Sequence, residues 1–188
     1  MRVYAITNQL KGDWMIYKPD WRKFVSILVG IFSSWRSHVS LAWNAHEEVD
    51  ASVEADGVTR NDIDWKRRPY IIPLPFDAVA FRETMKEFKF QDYGKEQVGS
   101  IALIMLTGNE ELLNESGVHC SEFLIVYGTK HPLFAKAVGQ NRISKRLQRI
   151  ACERPSRATP KHCEKVGKAM MKAHNPKAKM VKHYVVAR

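Results

Sequence analysis

Apolar residues recur along this chain with two different periods, and the switches between them lay out its elements. Trp14-Met15-Ile16-Tyr17 is a short apolar run opened by a Gly12-Asp13 turn, which predicts a strand. From Trp21 to Trp35, the residues Trp21, Phe24, Val25, Leu28, Ile31, Phe32 and Trp35 return at steps of three and four, which predicts an amphipathic helix packed on a core. Ser37 to Trp43 alternates polar with apolar residues, so a half-buried strand is expected, with His38 on the face opposite Val39 and Leu41. A second strand is expected from Glu48 to Ala55, ended by Asp56-Gly57, a strong hairpin signal. Val49, Ala51 and Val53 share one of its faces and Asp50, Ser52 and Glu54 the other. If the two strands pair, a carboxylate from the second lies beside the imidazole from the first.

After Val58 to Trp65, a basic link, Lys66-Arg67-Arg68-Pro69, leads into Tyr70-Ile71-Ile72-Pro73-Leu74-Pro75. Its prolines cannot donate to a ladder and confine this segment to a sheet edge. Phe76 to Phe90 has helical spacing, with Asp77 placed to cap it, and Asp92-Tyr93-Gly94 reads as a turn. Val98 to Leu106 is almost wholly apolar and predicts a buried helix, and Glu110 to Gly117 is a loop that delivers Cys120. Phe134 to Cys152 predicts one basic helix, broken by Arg154-Pro155-Ser156-Arg157. Thr159-Pro160 is a good N-cap and first-turn pair for a helix to about His174, with Cys163, Val166 and Met170 inward, and Asn175-Pro176 stops it. Lys177 to Arg188 is either loose or a short edge strand.

With 45% hydrophobic and 27% charged residues in 188, the composition is that of an ordinary globular domain able to bury a core. Three cysteines are too few, and odd in number, for a secreted disulfide framework, so a reducing compartment is expected. Met1 to Lys11 lacks the pattern of an export signal, and the apolar run Phe24 to Phe32 is far shorter than the roughly 20 residues that span a bilayer. The expected location is the cytoplasm, with a phage-encoded protein in the host cytoplasm or virion as a variant of that reading. Charge divides the chain. Residues 141–188 hold 14 Lys and Arg against two acids, Glu153 and Glu164, while the first 140 residues carry a net charge of −2. Such a tail is either a solvated face or a contact for a polyanion. Tyr184 is its only aromatic residue, so a stacking platform for single strands is not indicated.

The candidate chemistry centres on Gly117-Val118-His119-Cys120-Ser121-Glu122-Phe123. A cysteine after a glycine-containing turn and at the head of an apolar helix meets unpaired N–H groups and the positive end of the helix dipole, which favour a thiolate. The alternative is a small buried hydrophobe. A working thiol also needs an imidazole to take its proton and a polar group to orient that imidazole. His38 and Glu54 can supply these, with the Cys120 N–H in an oxyanion site. His46, beside Glu47 and Glu48, is a weaker candidate orienter or metal ligand. Cys152, His162 and Cys163 lack a fourth ligand at zinc-site spacing.

Gly12-Asp13-Trp14, Ser37-His38-Val39, Val53-Glu54-Ala55 with Gly57-Val58, the Tyr93-Gly94 turn, His119-Cys120-Ser121-Glu122-Phe123 and Thr159-Pro160 follow one another in the order of the circularly permuted NlpC-type papain-like hydrolases, the YiiX-like group, which the chain resembles over roughly residues 11–172. The resemblance implies an α+β fold, a small antiparallel sheet or barrel packed against helices. A catalytic core over 1–140 would be completed or extended by a basic helical region, 141–188. It implies Cys120, His38 and Glu54 as the catalytic triad, Trp14, Ser37, Ser121 and Tyr93 as substrate contacts, and no metal or cofactor. The expected reaction is cleavage of an amide bond, in a peptide or a peptidoglycan stem, through an acyl-enzyme. The alternatives are a lipid ester hydrolase or acyltransferase on the same triad, and an idle scaffold that binds a polyanion through the basic tail. The family usually has Tyr-Asp where this chain has Tyr93-Gly94.

Overall fold

The computed structural model describes residues 11–20, 35–52, 56–88, 91–94 and 117–181. The predicted helix Trp21 to Trp35, except its last residue, the predicted helix Val98 to Leu106, most of the loop from Glu110 to Gly117, and Glu54 lie outside the described residues. The alternating segments become five strands: β1 (Trp14–Tyr17), β2 (His38–Ala42), β3 (Glu47–Ser52), β4 (Gly57–Asp62) and β5 (Tyr70–Ile72). They form one open antiparallel sheet in the order β4-β3-β2-β1-β5. Among the described residues five helices accompany it: α1 (Ala78–Phe88), α2 (Cys120–Lys130), α3 (Pro132–Gly139), α4 (Lys145–Glu153) and α5 (Pro160–His174). The fold is α+β. Among the described residues no helix is long and apolar enough to cross a membrane.

The turn chemistry explains the sheet. Asp56 and Gly57 carry the β3–β4 reversal at φ of 51° and 152°, values that only a short polar side chain or glycine takes at low cost. β5 stays short and at the edge, flanked by Pro69 and Pro73, and its outer side receives one bridge, Ile71 to Val181, with N···O distances of 2.9 and 3.0 Å. That bridge is the described part of the predicted terminal edge strand.

The two faces of the sheet differ. Trp14, Ile16, Val39, Leu41, Val49, Ala51 and Ile72 join α2 and α5 in the main core. α2 is buried from Cys120 through Gly128, which is why its sequence is apolar all round instead of striped. α5 adds Cys163, Val166, Met170 and Met171 to the same core, so the chain beyond residue 140 completes the domain. Trp14 is fully buried, its indole wedged against Gly128 and Gly167, where added Cβ atoms would lie 2.7 and 2.8 Å from the ring. Sequence reasoning put Trp14 in contact with substrate. Its place is instead inside the helix-facing core, because two distant glycines open a slot for it. The other face carries Met15, Tyr17, Ala42, Ile63 and Ile71, with polar residues at the same period.

α1 begins near its expected start, with the Asp77 carboxylate accepting from the Ala80 N–H at 2.8 Å. The single basic helix predicted from Phe134 to Cys152 is two helices, α3 and α4. After Gly139 the chain turns through Asn141 at φ 55°, and the Ser144 hydroxyl starts a new helix by accepting from the Leu147 N–H. α5 starts and stops where Thr159-Pro160 and Asn175-Pro176 predict.

Candidate active site

Cys120 is held at the first position of α2 by contacts on three sides. Gly117 adopts φ 75°, and a Cβ there would come within 2.5 Å of the Asp92 carbonyl oxygen. The close approach lets Val118 donate to the Asp92 carbonyl at 2.8 Å and accept from the Gly94 N–H at 2.9 Å. Tyr93, half-buried, thus lies alongside Val118, two residues before the thiol. His119 caps the helix: its Nδ1 accepts from the Glu122 N–H at 3.2 Å, and its Nε2 donates to the Ser156 carbonyl at 3.0 Å. On the far side Cys163 donates its thiol hydrogen to the Ser121 carbonyl at 3.3 Å. Among the described residues, nothing accepts from the Cys120 N–H, one of the N–H groups that a helix start leaves without an intrahelical partner.

His38 opens β2 and meets the thiol from the sheet side; the two side chains hydrogen-bond. Its Nε2 lies 2.7 Å from Asp50 Oδ2, which leaves Nδ1 as the ring nitrogen available to sulfur. Asp50 is buried, and its second oxygen accepts from Asn61 Nδ2 at 2.8 Å. The result is a chain of contacts, Cys120 to His38 to Asp50 to Asn61, drawn from α2 and three adjacent strands. Among the described residues the carboxylate on His38 is Asp50; Glu54, which sequence reasoning chose for that role, lies outside them. Both belong to the same predicted face, and the register, with Leu41 across from Val49 and Ala42 across from Glu48, sets Asp50 diagonally beside His38.

The electrostatics follow from this geometry. Burial alone would push the Cys120 thiol up. The His38 charge opposes it most strongly, and the adjacent His119 ring and the hydrogen bond with His38 add to that, leaving the thiol at about 5. Burial would lower His38, but the charges of Cys120 and Asp50 and its hydrogen bonds to both raise it well above the usual histidine range. Between these values the pair exists as thiolate and imidazolium. The adjacent buried Glu48 behaves differently. Its Oε2 accepts from Ser40 Oγ at 2.6 Å and from the Tyr17 hydroxyl, and burial lifts it to about 7 against the pull of His38. Asp13, which accepts from the Leu74 N–H at 2.9 Å, is lifted to about 7 by the same cause.

His38, Glu48 and Asp50 offer donor atoms within 4.8 Å of one another and are, among the described residues, the one cluster that could hold a metal ion. Each already has a protein partner, and the metal would compete with the thiol for His38. The other sequence candidates are spread out. Ser37 sits at the rim, its hydroxyl donating to the Lys18 carbonyl at 3.0 Å. Ser121 is buried beneath the helix start. His46 is exposed in the β2–β3 turn, and Glu47 pairs with Arg60 and Asn44. Cys152 is exposed, Cys163 is buried, and His162 caps α5, so these three do not converge. Sequence reasoning passed over His119 as a cap and Asn61 and Glu48 as partners. Only the period-two face that holds Asp50 and Glu48 pointed toward them. A scan of family models finds none that matches this chain, and a search of curated proteins finds no match.

Proposed function

We propose that the protein is a cysteine hydrolase of the permuted NlpC-type papain-like class, cleaving an amide bond of a peptide-like substrate. The observation that carries this reading is the contact chain from Cys120 through His38 to Asp50, with the thiol held low at the start of a helix. A buried cysteine has no need of an oriented imidazole, and a structural histidine has no need of a thiol; a nucleophile needs both. In the reaction the Cys120 thiolate adds to the scissile carbonyl, and the oxyanion meets the Cys120 N–H. Collapse breaks the C–N bond as the His38 imidazolium gives its proton to the leaving amine, leaving a thioester on Cys120. Neutral His38 then takes a proton from water as the water attacks. The second collapse releases the carboxylic acid and restores the ion pair, with Asp50 holding the ring throughout.

The first test is the rate of iodoacetamide alkylation at each cysteine against pH, read by mass spectrometry. Cys120 is expected to react at a nearly constant rate above about pH 5, whereas an ordinary thiol titrates near 8.5. In His38→Ala its thiolate fraction at pH 6 falls by roughly 300-fold, softened to roughly tenfold in rate because a more basic thiolate is a better nucleophile. A Cys120 that titrates like an ordinary thiol in both proteins would sink the reading. Once a substrate is found, Cys120→Ala abolishes turnover while thermal unfolding stays cooperative.

A further inference from the structure

The basic link between β4 and β5 is not used by the triad, yet one of its residues reaches the site. Residues Trp65–Arg67 form a single 3₁₀ turn ended by Arg68 at φ 48°. Lys66 and Arg68 point to solvent, and Arg67 turns inward. Its Nη2 donates to the Lys18 carbonyl at 2.5 Å and to Ser37 Oγ at 3.0 Å, beside His38. Its guanidinium lies over the Tyr17 ring at 4.8 Å, and that ring lies 5.4 Å from the His38 imidazole. Every one of these partners is neutral. Among the described residues no carboxylate meets Arg67, its buried Nε has no acceptor, and Nη1 is engaged by none.

The neighbourhood is cationic. Arg36, next to Ser37, lies over the Tyr70 ring and pairs with Glu164 at 2.9 Å, and Lys18 lies 5.6 Å from the same ring. Lys168 also pairs with Glu164. Arg36 and Lys168 share Glu164, Lys18 and Arg67 are not paired with it among the described residues, and Asp20 is the acid of the Lys18 segment. A half-buried guanidinium with only neutral partners is costly unless an anion completes it, and its planar fork matches a carboxylate.

We propose that Arg67 is a substrate-binding residue that receives a carboxylate on the substrate, beside His38, so that the hydrolase acts on acidic peptides or on peptides carrying a free carboxyl group near the scissile bond. The proposal rests on the cysteine-hydrolase reading. Iodoacetate and iodoacetamide differ little except in charge, so the ratio of their rates at Cys120 reports the field at the thiolate. Wild type at pH 6 and low salt should favour iodoacetate. Arg67→Gln keeps a donor for the Lys18 carbonyl and loses the charge, and should cut the ratio by roughly three- to tenfold, the order of effect of one unit charge in partly aqueous surroundings. High salt should cut the wild-type ratio in the same direction. Lys66→Gln, one residue away and exposed, should leave it as it is.

An unchanged ratio in Arg67→Gln, or an equal fall in Lys66→Gln, overturns the proposal while iodoacetamide still confirms the reactive thiol. A Cys120 inert to both reagents removes the hydrolase reading and the proposal with it.

Discussion

Cys120 and Cys163 stand on two helices that touch at the Ser121 carbonyl, both almost wholly buried, with opposite proton affinities. Burial pushes the Cys163 thiol well above its usual range, and the negative charge of Cys120 adds to the push. Cys120 suffers the same burial and still falls to about 5. Burial therefore holds the proton on, and only a cation placed against the sulfur removes it. One cysteine starts its helix facing His38, and the other sits one turn into α5, donating its hydrogen to a carbonyl. Depth in the core does not separate them. What does is whether the sheet presents an imidazole whose own charge is held by Asp50.

The most damaging way to break this contrast is to leave His38 in place and remove the charge that holds it. Asp50→Asn keeps the shape and the contact with Nε2 but offers the ring a dipole in place of a carboxylate. Turnover is expected to fall by about 10² to 10⁴, the range seen when a triad carboxylate becomes an amide. The alkylation midpoint of Cys120 should rise toward that of an ordinary thiol. Turnover within a factor of two of wild type would mean that another carboxylate, Glu54 being the sequence-derived candidate, orients the ring.

Glu48 extends the comparison to a carboxyl group, because there burial wins as it does at Cys163. Its folded value lies above its unfolded value, so the native state binds the extra proton between roughly pH 4.5 and 7. Stability from this group is therefore greatest below that window and declines as pH rises through it. Glu48→Gln keeps an acceptor for Ser40 and Tyr17 and cannot ionise. It should gain about 3 kcal/mol relative to wild type on going from pH 4.5 to 8, read from denaturant midpoints. Equal pH dependence in the two proteins would show that Glu48 reaches water.

Activity should follow a bell. It rises through about pH 5 as the thiolate forms and falls at a pH well above 6.5 as His38 loses its proton, both limbs belonging to the pair. The two histidine caps then test whether His119 contributes more than helix structure. His119 and His131 use one device: Nδ1 accepts from an N–H of the first turn, at 3.2 and 3.1 Å, and Nε2 meets a distant carbonyl at 3.0 Å in both. Either alanine substitution should cost about 1 kcal/mol of stability, as lost caps do. His119→Ala alone should also raise the Cys120 midpoint, since of the two caps only His119 lies against the thiol and helps to hold it low. A midpoint that stays put would reduce His119 to a cap.

What the sequence made legible follows from the range of each cause. β1, β2, β5 and the start of α5 were readable because period-two alternation, Pro and Thr-Pro act over a few residues. Cys120 and His38 were readable as a pair because a turn, a capped apolar helix and a strand-borne histidine each carry a local mark. Asp50 was not singled out from Ser52 and Glu54, since alternation assigns a face while the pairing between strands decides which side chain lies beside a given neighbour. Trp14 looked like a cleft residue because the slot between Gly128 and Gly167 is formed by parts of the chain more than a hundred residues away. The break between α3 and α4 was marked by Gly139, Asn141 and Ser144, but apolar spacing on both sides bridged it in the reading. His119 escaped notice because histidine caps helices less often than Ser, Thr, Asp or Asn.

The smallest expected effect closes the comparison from the other side. Cys163→Ala deletes a buried sulfur that donates to Ser121 and whose proton burial holds on well above the usual thiol range. Its loss costs packing and one weak hydrogen bond, on the order of 1 kcal/mol, visible as a small fall in the denaturant midpoint. The alkylation–pH curve of Cys120 should not move, because a neutral thiol adds little to the field at the thiolate and the His38 contact is untouched. A Cys120 midpoint displaced by a full pH unit would mean that the Ser121 carbonyl, relieved of its donor, turns toward the helix start and changes the polarity around the sulfur. In that event the two cysteines act as one unit, and the contrast between a reactive and an inert thiol would have to be redrawn around their shared contact.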